Sequence, residues 1–150
     1  MTSSATSEGQ YGVRGAALVP CEIFERERKA QSEVYRMLGS WVDGYISGIN
    51  QQTPGVYNIA SFESNELIAA LVSEHCSKNP QDSMFAVLKL LIDKMAANKL
   101  TESSKKISVV LGERSVLLYV DTIKRIQQKL IALNFYEGQI DGEYNDSLQK

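Results

Sequence analysis

Val34-Tyr-Arg-Met-Leu38-Gly-Ser-Trp41-Val42-Asp43-Gly-Tyr45-Ile-Ser-Gly-Ile49 is the stretch on which the fold turns. Its apolar residues Val34, Leu38, Trp41, Val42, Tyr45 and Ile49 recur at steps of three and four, the period of one face of an α-helix. Glu33, Arg36 and Asp43 lie off that stripe. Working backwards, Pro20 suits a first helical turn, and Glu22 and Glu25 suit the positive end of a helix dipole. The segment from about 21 to 51 therefore reads as one long helix, or as two joined near Ala30–Ser32. Thr53-Pro54-Gly55 ends it. Residues 1–19, with Gly9, Gly12 and Gly15 among small polar residues, read as a mobile or loosely docked arm.

Working forwards, Val56, Tyr57, Ile59 and Phe62 anchor a connector. Ser64 or Ser61 then offers an N-cap, with Glu66 in the first turn. Leu67, Ile68, Leu71, Val72 and Cys76 make the inner face of a short helix. Asn79-Pro80-Gln81-Asp82 breaks the chain, and a helix over about 82–97 follows, with Phe85, Leu88, Ile92 and Met95 on one face and Met84, Val87 and Leu91 beside them. After Leu100 the period changes to two. Ile107, Val109, Leu111, Val116 and Leu118 alternate around Gly112-Glu113, which predicts a β-hairpin with Val109 opposite Val116 and Ile107 opposite Leu118. Helical spacing resumes with Ile123, Ile126, Gln127, Leu130 and Leu133, a stripe that needs a partner such as the hairpin or the 82–97 helix. A Gly-rich loop then leads to a new helical turn near Asn145.

The expected fold class is mainly α. A helical bundle covers about 20–104, a hairpin connector 105–119, and a last helical module 120–150, behind the arm at 1–19.

Composition narrows the function. The chain has 150 residues, 43% hydrophobic and 23% charged, an ordinary globular mix. Sixteen basic and 18 acidic side chains leave a net charge of −2, and no basic stripe appears, which argues against nucleic acid as a partner. No apolar run approaches the length of a bilayer span, so the chain is not expected to be membrane-spanning. Oligomeric state is left open by the sequence.

Candidate chemistry is sparse. His75 and Cys76 are adjacent, but neighbours on a helix point about 100° apart and do not face each other. With a single His in the chain, Cys21, His75 and Cys76 make a poor zinc set. Glu22, Glu25 and Glu27 read as a solvated helix start rather than a glycosidase pair. No phosphate-binding Gly loop is present. No catalytic residue, metal or cofactor is expected. Gly44 and Gly48 read as a smooth ridge for close packing against Ala69, Ala70 or the 82–97 helix. Cys21 and Cys76 are inert buried thiols in a reducing compartment and a bridge in an oxidising one.

The spacing Gln127-x-x-Leu130-x-x-Leu133-x-Phe135-Tyr136-x-Gly138-x-Ile140-Asp141-Gly142-x-Tyr144 closely resembles the first half of the small peptidoglycan-binding domain of bacterial envelope proteins. In that reading Leu130, Leu133 and Ile140 form a mini-core, Gly138 and Gly142 supply positive φ, and Asp141 holds the turn. Tyr136, Gln139, Asp141 and Tyr144 become glycan-binding candidates: Tyr136, Phe135 and Tyr144 could stack on sugars with Asp141 and Gln139 for hydroxyls, while the favoured alternative leaves only Tyr136 exposed and makes Phe135 and Tyr144 local core.

Upstream, Trp41-x-x-Gly44-Tyr45-x-x-Gly48 between Cys21 and Cys76 is similar to small helical periplasmic proteins, namely acid-stress chaperones and the amidase-immunity proteins of contact-dependent secretion. This similarity implies a bundle stapled by one Cys21–Cys76 disulfide. Together the two resemblances imply a bacterial protein of the periplasm or cell envelope, whose signal peptide lies outside this sequence. Its expected role is non-catalytic: binding peptidoglycan or a wall-associated protein. The rival is a protein-binding module, an immunity-type inhibitor or holdase chaperone, with Trp41 and Tyr45 as partner-binding candidates.

Overall fold

A computed structural model describes residues 5–61 and 64–144. The expected Phe62 anchor and the turn after Asn145 lie outside the described residues. The chain divides into two compact units, Met1–Lys99 and Leu100–Lys150. The fold is mainly helical with one antiparallel hairpin and one disulfide.

Unit 1 carries α1 (Cys21–Ala30), α2 (Glu33–Gln52), α3 (Asn65–Cys76) and α4 (Met84–Met95), with a 3-10 turn over Ala16–Leu18 and another over Ala96–Asn98. The 21–51 segment is thus two helices. Gln31 takes the left-handed conformation that closes α1, and the Ser32 side chain accepts from Tyr35 N to open α2. Glu27 reinforces this elbow by accepting the Ser32 hydroxyl at 2.6 Å. Hydrogen bonds from Ser32 and Arg26 hold the Glu27 carboxyl below its usual range. Ser64 and Ser83 cap α3 and α4 in the same way, so Ser64 is the cap, and the fourth helix starts after Asp82.

Cys21 and Cys76 are joined, their Cα atoms 4.9 Å apart. The bond lies where Cys21 N–H donates to Asp82 O at 2.8 Å and Glu22 N–H to Pro80 O at 3.0 Å. The first donors of α1, which have no partner within the helix, are satisfied by the α3–α4 turn.

The core of unit 1 draws Leu38, Val42 and Ile46 from α2, Ile68, Val72 and Cys76 from α3, and Met84, Val87, Leu88, Ile92 and Met95 from α4. Two expected inner faces are rotated. On α2, Val34 is exposed and Ile46 is buried, so the centre of the stripe is Leu38–Val42–Ile46. On α3, Leu67 is exposed and Ala69 is buried. Gly44 and Gly48 are no packing ridge: a Cβ at either would meet nothing within 4 Å.

Unit 2 begins with β1 (Lys106–Leu111) and β2 (Arg114–Tyr119), paired with Ile107 opposite Leu118 and Val109 opposite Val116. Gly112 provides the positive φ, 61°, at the first central turn position. α5 (Val120–Ala132) follows without a linker. Among its expected stripe, Ile123 and Gln127 are buried, Ile126 and Leu130 are half-buried, and Leu133 is exposed.

Candidate functional site

The loop after α5 is organised by one amide. Gln127 is fully buried. Its Nε2 donates to Asp141 Oδ1 and to Glu143 O, each at 2.9 Å, and its Oε1 accepts from Gly142 N at 3.0 Å. Asp141 Oδ1 also accepts from Glu143 N at 2.9 Å, an Asx-type turn. These bonds, that of Glu143 N first, hold the Asp141 carboxyl below its usual range. Gly142 sits at φ 74°, and a Cβ there would run into Val120 Cγ1. Both the dihedral and the close approach therefore demand glycine.

Gly138 is different. Its φ is not positive. Its Cα instead faces the Tyr136 ring, which any Cβ would strike. That vacancy lets Tyr136 turn inwards, with its hydroxyl donating to Gln139 O at 3.2 Å. Tyr136 is only 4% exposed, whereas Phe135 is 73% exposed. The expected roles of the two rings are reversed: Tyr136 cannot stack on a ligand, and Phe135 is not core. The expected mini-core is also corrected, because Leu133 and Ile140 are exposed. Gln139 and Asp141 lie at the surface and Tyr144 is half-buried. The result is a loop fixed from inside that presents Leu133, Phe135 and Ile140 outwards.

Asp141 gives this loop a pH signature. Its folded pKa lies below the ordinary 3.8, so its ionised form favours the folded loop. That stabilisation is present above the unfolded pKa and disappears as pH falls through the folded value. NMR of the Gly142 and Glu143 amides should show the loop loosening below about pH 3.8. Asp141→Asn, which keeps the accepting oxygen, should remove the change.

Unit 1 carries the partner candidates. Trp41 and Tyr45 stack at 5.2 Å between ring centroids, and both meet Phe85 edge-on. The arm lies on this cluster. Trp41 Nε1 donates to Arg14 O at 2.7 Å, Tyr11 meets Phe85 edge-on, and Lys89 Nζ donates to the Tyr11 hydroxyl at 2.9 Å. Trp41 and Tyr45 are half-buried, and their first task is to seat the arm. Trp41→Phe keeps the ring and loses the indole donor, worth about 1 kcal/mol. Tryptic cleavage after Arg14 should then speed up roughly fivefold.

Elsewhere in this unit, a groove of about 450 Å³ runs between α1, α2 and α3, with Phe24, Tyr35 and Ile68 in its lining and Arg36 and Asp43 among its polar residues. Asn65 Nδ2 closes one edge by donating to Asp43 Oδ2 at 2.8 Å. His75 is half-buried, and its Nε2 lies 2.8 Å from Asp82 Oδ2. Cys76 has no thiol to pair with it. Among the described residues no cluster of three His, Cys, Asp or Glu side chains is placed to hold a metal, and no helix is long and apolar enough to cross a membrane.

Sequence reasoning singled out Asp141 and Gly142 but favoured Tyr136 over Phe135 as the presented ring. It also missed Gln127 as the organiser. The signal for Gln127 was on the page: an amide inside an apolar helical stripe, followed by an Asp-Gly pair. No protein-family model, curated protein or solved structure matches this chain.

Proposed function

We propose that this chain is a non-catalytic protein of the bacterial periplasm or cell envelope whose second unit docks on peptidoglycan or on a wall-associated protein. The observation that carries the reading is the loop of residues 134–144: the signature residues Gln127, Tyr136, Gly138, Asp141 and Gly142 are spent on fixing it, and Phe135 is left 73% exposed. An exposed ring on a rigid support suits the apolar face of a sugar, with Gln139 and Asp141 nearby for hydroxyls. The disulfide supports an oxidising compartment.

Sedimentation with purified peptidoglycan tests the reading. The full chain should pellet with the wall, and Phe135→Ala should lower the pelleted fraction several-fold without unfolding the protein. No pelleting of the unsubstituted chain would end the peptidoglycan reading. A second one, a protein-binding module of immunity or holdase type, is favoured by the groove between α1, α2 and α3. There Tyr35→Ala should abolish partner binding and leave wall sedimentation intact.

A further inference from the structure

The hairpin has an open side. Val120 N–H bonds to Lys105 O at 2.9 Å, which makes Lys106 and Tyr119 a non-hydrogen-bonded pair. It follows that Ile107, Val109 and Leu111 turn their backbone groups towards β2, and that Lys106, Ser108 and Val110 turn theirs away. No backbone hydrogen bond from another element reaches those three among the described residues. All three are exposed, Val110 at 60%. Beyond Lys106 at its start, the strand is unguarded. Residues 107–111 hold no charge and no proline, and six consecutive pairs run without a bulge. Natural edges usually carry at least one of these protections, and a lone two-stranded ladder is marginal.

Unpaired donors and acceptors at strand spacing are matched by another strand. We propose that β1 of one copy pairs antiparallel with β1 of a second copy about a two-fold axis at Ser108, joining two hairpins into one four-stranded sheet. A second copy fits because it offers a strand of the same length with the same groups unpaired, so one contact satisfies both edges. In this register Ser108 faces its own counterpart, small enough for the backbones to close. Lys106 faces the uncharged Val110 of the second copy, twice. The two Lys106 residues are separated by about 13 Å along the strands, beyond the screening length of about 8 Å at physiological salt. The outer edge of β2 is the poorer site, since Tyr119 at its end is buried and the chain turns at once into α5.

Light scattering on the full chain across a concentration series tests this. The mass should climb from 16.7 kDa towards twice that value, and the Lys106, Ser108 and Val110 amides should gain exchange protection in step. Val110→Lys sets a lysine against Lys106 of the second copy at two places, so association should weaken roughly tenfold or more. Adding Lys106→Glu to it converts both clashes into ion pairs and should restore the dimer. Leu117→Lys, on β2, should change nothing. A monomer at every concentration would overturn the proposal, as would dimerisation indifferent to Val110→Lys or abolished by Leu117→Lys alone.

Discussion

Gln127→Ala is expected to cost about 3 kcal/mol and to release the loop over residues 134–144. The wild-type amide makes three hydrogen bonds in a fully buried position. Truncation removes all three and strands Gly142 N–H without an acceptor, and a buried unpaired donor costs more than a bond is worth. The loss should appear in urea unfolding of the full chain and, locally, as faster exchange at Gly142. Gln127→Glu makes a sharper test. At neutral pH it keeps the acceptor for Gly142 N–H but turns a carboxylate towards Asp141, so the loop should open. Near pH 4, where a carboxylic acid can donate to Asp141, much of the loop should return. If Gln127→Ala leaves exchange at Gly142 unchanged, the amide does not organise the loop.

What could be read ahead of the structure follows from how local the deciding interactions are. The hairpin was legible to the register, because the apolar spacing of Ile107, Val109, Val116 and Leu118 and the turn at Gly112 fix the pairing within fourteen residues. The break near Ala30–Ser32 and the Ser64 cap were each legible as one of two alternatives, which the structure decides through side chains bonding a backbone three residues away. The inner face of α2 was legible in part: Leu38 and Val42 are core and Trp41, Tyr45 and Ile49 pack against it, but Val34 is exposed and Ile46 is buried. Trp41 and Tyr45 are large and apolar, and they drew the predicted stripe towards themselves and Val34. The structure sets them at the rim of the core, against the arm and Phe85, and packs Ile46 at its centre. The Phe135–Tyr136 pair failed for a related reason. Two adjacent rings must point apart, and their own identities do not say which goes in. The answer lies with Gly138, whose missing side chain makes room for the second ring.

Opening the Cys21–Cys76 bond is expected to have the larger effect. The bond closes a loop of 55 residues, and a cross-link of that span is worth about 4 kcal/mol in the chain-entropy account. That is a large share of the stability of an ordinary domain, about 5–15 kcal/mol. Both cysteines are buried, and the bond fixes the start of α1 to the end of α3, beside the turn that accepts the first α1 amides. Cys21→Ser/Cys76→Ser should therefore lower the unfolding midpoint steeply, and the Cys21 and Glu22 amides should be the first to lose exchange protection. Reduction of the unsubstituted chain should reproduce the shift, whereas the hairpin pairing in unit 2 should persist wherever its amides remain protected. Thiol labelling of unreduced, denatured protein from an oxidising compartment should detect no free cysteine. Two free thiols there, or a midpoint unmoved by the double substitution, would show that the bundle holds itself together without the bond.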